Sequence, residues 1–349
     1  MIRFESITEK AFMAGPTGEP MVQEIVHRRD PLTSSVCSVN GFLGEKAKAF
    51  LGTADVAALT ELQEGSKANC PFCVAHERGT RFPEALCEGG LVRIGDSLGV
   101  PNLFSKAGLD AVVVVSHREH TLFPSRIPPA DFGNAVRVGI DLLRRAKERY
   151  GLPHHILGMN FLHPGGSSVP HPHLQANARG MAYSGVERVI GLSRAYREAS
   201  GGSYWDELLE TERREAARYL GVTGEVEWIV PFAPAHQKEV WGIFPGAGSL
   251  LELDDAAAEA FGAGIASVAS FYEREGHYAF TLAFFSSPAV GAADHFSVQV
   301  RLCARPAFKP LYSNYDTWFV PKIIGDEVHT QAPEEYAGRI RESGLGNRG

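Results

Sequence analysis

The sequence predicts an α+β fold built from two tandem halves, each an antiparallel sheet with a packed helix. Three observations predict it. The order strand, helix, strand occurs twice, and the buried stripes of the two helices keep one offset: Phe261 lies 129 residues beyond Phe132, and Ile265 lies 129 beyond Val136. A His-x-His-x-Gln segment at His171 to Gln175 has a degenerate counterpart 124 residues later, at His295 to Gln299, with Ser297 in place of the middle histidine. At 349 residues the chain is also long for one ordinary domain and long enough for a sizeable core.

Taken in order, residues 111–116 form an unbroken apolar run that reads as a fully buried strand, and 129–149 read as a helix with Phe132, Val136, Gly139 and Leu143 on one stripe. A second strand follows near 156–162. In the second half, Val240 to Phe244 is a strand, Asp254 and Asp255 start a helix, and Phe261, Ile265, Val268 and Tyr272 form its buried stripe. Strands over 278–285 and through His295 to Gln299 complete that half. The five-residue change in offset falls in the loop before a strand, at 151–155, where length is cheap. Leu192 to Leu220 is charged and helical in pattern, so the join between 190 and 225 is a helix. The halves are drawn as 1–195, catalytic, and 196–349, degenerate.

Composition narrows the function. With 34 Lys+Arg against 41 Asp+Glu the net charge is −7, which disfavours a broad basic surface for nucleic acid, so a phosphate ligand must be held locally. The start shows no charged leader with an apolar core, and no run of 18 apolar residues follows, so the chain reads as cytoplasmic and free of membrane. Five cysteines, an odd number, disfavour a disulfide framework.

The chemistry concentrates around His171 to Gln175. On an extended backbone, period two puts His171, His173 and Gln175 on one face. Such a cluster costs folding energy unless it meets a metal, a phosphate or itself. His173 is the candidate nucleophile: a neutral imidazole attacks phosphorus to give a phosphoramidate, splitting one displacement into two. Its other nitrogen must donate to a carbonyl or carboxylate to fix the tautomer. Gln175, Ser167, Ser168 and the amides of Gly165 and Gly166 could donate to phosphate oxygens. His154, His155 and His163 read as structural. Cys70 and Cys73 form a Cys-x-x-Cys pair suited to one zinc-type ion, with His117, His120 and His171 as candidates for the other two ligands; a redox dithiol is the competing reading. Arg28 and Arg29 could clamp a diphosphate. Asn102, Leu103 and Phe104 offer an amide and an aromatic platform for a base.

Together, His27 to Thr33, Cys70 to Cys73 with Thr80, Pro83 and Glu84, Asn102 to Phe104, Asn160, and Ser168 to Gln175, in this order, resemble the galactose-1-phosphate uridylyltransferase family. That family is a branch of the histidine-triad superfamily and includes ADP-glucose phosphorylase-like relatives. The resemblance spans most of the chain and continues through Trp228 to Pro234. It implies two tandem histidine-triad-like halves and a nucleotidyltransferase of nucleotide-sugar metabolism. In that reading His173 carries the nucleotide and Gln175 steadies the α-phosphate. Cys70, Cys73, His171 and, as fourth ligand, His120 hold one structural zinc. Asn160 and Ser168 lie near the phosphates, and Asn102, Leu103 and Phe104 cradle the base. A homodimer is the family's habit.

Two departures follow. The family's second metal uses a His-x-His pair in the second half, and the strand from His295 to Arg301 keeps neither, so a second metal site is expected to be absent. Near the C-terminus the family grips a hexose, whereas this chain reads Phe319 to Gly325 with Lys322 where the family carries an acid, which suggests an anionic acceptor. The expected activity is transfer of a nucleoside monophosphate from a UDP- or ADP-hexose to a sugar phosphate or phosphate through a His173 adduct. The alternatives are a nucleotide-sugar or dinucleotide phosphorylase or hydrolase, and a nucleotide-binding protein with the zinc site but no turnover.

Overall fold

The computed structural model describes residues 2–15, 17–44, 53–310 and 327–345. The expected α+β class holds. Its centre is a ten-stranded, wholly antiparallel sheet ordered β4-β5-β6-β8-β7-β12-β13-β11-β10-β9. The strands of the first half are β4 (Val92–Ile94), β5 (Ser97–Pro101), β6 (Leu109–Val114), β7 (His154–Phe161) and β8 (His173–Arg179). Those of the second are β9 (Tyr219–Thr223), β10 (Val226–Ile229), β11 (Val240–Phe244), β12 (Phe280–Phe285) and β13 (Val298–Ala304). Read outward from the seam, both halves have one strand order, and β7 joins β12 through pairs such as Asn160 with Thr281 and Gly158 with Ala283.

One face of the sheet carries α3 (Pro129–Tyr150) and α6 (Asp255–Arg274). Their stripes bury Phe132, Val136, Leu143, Phe261, Ile265, Val268 and Tyr272 in one core with the seam strands. The two helices touch where Gly133 meets Gly262: a Cβ on Gly262 would sit 2.3 Å from the Gly133 nitrogen. These positions are again 129 apart. Asp254 caps α6 by accepting from the Ala257 amide, and Gly151 ends α3 in the left-handed region.

The other face is covered differently in each half. Over the first lies the segment after α1 (Val56–Lys67), including the single turn α2 (Ala75–Arg78); Phe72 and Ala75 pack on Leu98, Val100, Val112 and Val114. Over the second lie α4 (Ser184–Ser200) and α5 (Tyr204–Glu215), whose Ile190, Trp205, Leu208 and Leu209 pack on Ile229, Trp241 and Ile243. The helical link is thus two helices, and Leu220 already belongs to β9. The boundary drawn at 195/196 falls inside α4.

A smaller sheet, β1 (Glu5–Ala14), β2 (Pro20–Arg29), β3 (Val36–Val39) and β14 (Glu327–His329), stands beside this body, with β14 parallel to β3. The C-terminal helix α7 (Pro333–Glu342) buries Tyr336 and Ile340 in the main core. Among the described residues no helix is long and apolar enough to cross a membrane.

Candidate active site and metal centre

Cys70, Cys73, His120 and His171 come together, with their four ligand atoms all within 4.8 Å of one another. Cys70 Sγ lies 3.4 Å from His171 Nδ1, and Cys73 Sγ lies 3.4 Å from His120 Nδ1. The rings are aimed by outside partners. His171 Nε2–H donates to the Ser116 carbonyl at 2.9 Å, and His120 Nε2–H donates to Ser66 Oγ at 2.9 Å. Both Nδ1 lone pairs therefore face inward, only 3.1 Å apart, an arrangement that a cation between them satisfies. Burial drives His171 down to about 3, keeping it neutral, and burial with the nearby Cys70 pushes the Cys73 thiol up to about 12. A soft divalent ion reverses the second shift by binding the thiolate. The quartet could hold a metal, and its fourth member is His120; His117 instead bonds the Asp96 carbonyl at 2.7 Å.

β8 begins at His173, so His171 sits in the turn before the strand, and only His173 and Gln175 share its face opposite the helices. The ring of His173, 5% exposed, is fixed by Nδ1–H donating to the His171 carbonyl at 2.7 Å, with Phe72 edge-on at 4.9 Å. Nε2 has no hydrogen-bond partner among the described residues. Burial lowers the His173 pKa, so that nitrogen carries a lone pair at neutral pH. The residue that orients His173 is therefore the one whose ring enters the Cys-His quartet.

Around this ring, Gln175 pairs with Gly158 on β7 and Val112 on β6. Asn160, two residues beyond Gly158, shares their face. Ser167 is buried and donates to the Val169 carbonyl at 2.7 Å, while Ser168 is exposed. On the other flank, Asp110 organises a loop that sequence reasoning read only in part. It accepts from the Asn102 amide at 3.2 Å and the Lys106 backbone at 2.8 Å, leaving Leu103 and Phe104 exposed as apolar side chains. Lys106 Nζ lies 3.5 Å from Gln175 Oε1. Its signal was present two residues after Phe104, yet only the register of β6 on β8 brings it to Gln175.

Other expected residues lie elsewhere. Arg28 spends its fork on Glu334 of α7, at 2.9 and 3.0 Å, and stacks on Phe232; a diphosphate would have to displace that carboxylate. Arg29 is exposed and reaches the Ser34 carbonyl at 3.3 Å. Glu334 also binds Arg218, itself paired with Glu212 and Glu215, so Arg28 belongs to a structural ion network. In the second half, His295 bonds Asp294, Ser297 Oγ is buried without a partner among the described residues, and Gln299 Oε1 accepts from Arg301. Phe319 to Gly325, with Lys322, lies outside the described residues.

No family model matches the chain. Its fold is similar to an ADP-glucose phosphorylase from Arabidopsis thaliana with bound ADP-glucose, at TM-score 0.69 and 16% identity over 91% of this chain and 98% of that one. A GalT-like protein from the same plant aligns at TM-score 0.65 and 16% identity over the same shares, and a uridylyltransferase at 0.63 and 15% over 72% and 85%. The chain thus has the fold of these uridylyltransferase-like structures, as its motifs led one to expect. In sequence it is 31% identical over 284 residues to a protein of Archaeoglobus fulgidus described as uncharacterized, covering 80% of this chain and 82% of that one, and it belongs to one family with that protein.

Proposed function

We propose that the protein is a nucleotidyltransferase that passes a nucleoside monophosphate from a nucleoside diphosphate sugar, through His173, to a sugar phosphate or inorganic phosphate. The observation that carries this reading is the free, neutral Nε2 of His173, oriented through Nδ1 by the His171 carbonyl. In the first step Nε2 attacks the α-phosphorus; the bond to the bridging oxygen breaks, and sugar 1-phosphate leaves with the electron pair. A phosphate oxygen of the acceptor then attacks the phosphoramidate, and the phosphorus–nitrogen electron pair returns to Nε2. The Gln175 amide and Lys106 would donate to non-bridging oxygens. Asn160, Ser167 and Ser168 would border the phosphates, with Asn102, Leu103 and Phe104 against the base.

Two thiolates and two imidazoles favour zinc over a hard cation, and we assign Cys70, Cys73, His120 and His171 as its ligands. Bound there, zinc supplies a crosslink between the Cys-x-x-Cys segment and the strand that carries the nucleophile. Incubation with labelled UDP-glucose and with labelled ADP-glucose tests the reading: one of them leaves an acid-labile adduct on the protein, and His173→Gly abolishes it, with exchange of label falling at least about a thousandfold. No adduct from either donor would overturn the proposal. Product analysis with phosphate or glucose 1-phosphate as acceptor then identifies the second substrate.

A further inference from the structure

On the sheet face that bears His173, one row of paired residues runs Gln175, Gly158, Ala283, Arg301 across β8, β7, β12 and β13. The two middle members are the smallest side chains available. A Cβ on Gly158 would meet the Leu282 carbonyl first, at 3.0 Å, and then Ala283 beside it. Together with Asn160 and Thr281, one row along, they leave a floor between the nucleophile and Arg301. A cavity of about 370 Å³ opens on this floor, lined by Asn160, His236, Thr281, Ala283, Phe285 and Arg301, within the size range of small-molecule sites.

Arg301 is built in with care. Its guanidinium is sandwiched between Trp241 and Phe285, 4.2 Å from each ring centroid, and Nε and Nη2 both donate to Gln299 Oε1, at 2.8 and 2.7 Å. Among the described residues no carboxylate lies within ion-pair distance of it, and Nη1 makes no hydrogen bond. Glu239, which also lines the cavity, is committed to Trp241 Nε1 and to the amides of Ala235 and His236. A desolvated cation held rigid, with one nitrogen unspent and lining a cavity, is an anion receptor.

We propose that Arg301 binds a second acidic group, a carboxylate or phosphate, at the end of the sugar remote from its anomeric phosphate. The inference rests on His173 as the nucleotidylated residue, because the spacing is measured from there. Gln175 and Arg301 are three strands apart, roughly 14 Å between backbones. With the Gln175 and Arg301 side chains at either end, a phosphate, a pyranose ring and a second acidic group span that distance. The substrate is then a sugar 1-phosphate that bears a further negative charge, or its nucleoside diphosphate derivative.

Calorimetric titration of the full-length protein with glucose 1-phosphate, glucose 1,6-bisphosphate and glucuronate 1-phosphate tests this without requiring turnover or a choice of base. At least one of the two doubly anionic sugars binds about tenfold or more tighter than glucose 1-phosphate, and the better of them tells phosphate from carboxylate. Arg301→Gln brings all three to within about twofold of one another. Should that variant fail to fold, Ala283→Glu, which sets a carboxylate directly across from Arg301, removes the same preference. Equal affinities in the wild type, no binding of any of the three, or a preference that survives both changes overturns the inference. Loss of the His173 reading would show separately, as absence of the adduct.

Discussion

His171 does two jobs with different atoms: its ring nitrogen enters the metal quartet, and its backbone oxygen receives the proton of His173 Nδ1. Metal loss should therefore reach the nucleophile without touching it. Cys70→Ser is expected to abolish stoichiometric metal by elemental analysis, to lower the melting temperature, and to slow adduct formation by about tenfold or more, as loss of supporting contacts does at metal centres. Full adduct formation in a metal-free Cys70→Ser protein would disprove the coupling. The quartet was legible because cysteine and histidine are sparse and its members sit in two short motifs and one histidine-rich loop. Residue types alone left His117 and His120 both open and the family resemblance favoured His120; the fold then places His117 against the Asp96 carbonyl and His120 against Cys73. The ion pair of Arg28 was not legible at all, since its partner Glu334 lies 306 positions away. Arg301 stayed silent for a similar reason: its meaning is a row across four strands, and strand register is a property of pairing, absent from any one segment.

The helices meet through glycine because their axes come close enough to exclude a methyl group. Alanine favours helix over glycine by about 1 kcal/mol. At position 262 the added methyl would nonetheless lie 2.3 Å from Gly133 N and 2.6 Å from its Cα, backbone atoms that cannot turn aside. Gly262→Ala should cost about 2 kcal/mol net, read as a lower urea midpoint. Gly191→Ala in α4, where nothing lies within 4 Å, should be neutral or stabilising, which controls for propensity. Equal effects of the two substitutions would show that the crossing is not tight. Sequence periodicity placed the first helix almost to the residue and the start and buried stripe of the second, because both stripes have period 3.6 over five turns. It gave nothing for the β1–β2 hairpin, which is exposed along nearly all of β1 and so carries no one-sided pattern.

At the scale of the whole molecule, the sheet and both helices form one core, and several histidines are sealed into it or beside it. His155 and His329, each 2% exposed, are held by burial at about 4. Above about pH 6.5 each is neutral whether the chain is folded or not, so neither biases folding. Below it the unfolded chain takes up protons that the folded chain refuses until about pH 4. Stability should fall with falling pH over that window, by about 1.4 kcal/mol per pH unit for each such histidine. Urea unfolding of wild type and His155→Asn at pH 6.5, 5.5 and 4.5 checks this, the variant having the shallower slope; identical slopes would refute it. Acids such as Glu212, buried beside Arg218, enter both proteins alike and cancel in the comparison.

Gly133 facing Gly262 means that one position of the repeat touches its own counterpart, which only a rotation axis of order two can bring about. Such an interface is isologous, the kind that separate subunits form with each other, and nothing in it depends on the peptide that runs between them. The short segment between β8 and α4 then acts as a tether, setting effective concentration and no geometry. Nicking the chain at Met181, 77% exposed between β8 and α4, should leave a particle of unchanged size on gel filtration, and separation of the two pieces would show that the tether carries more.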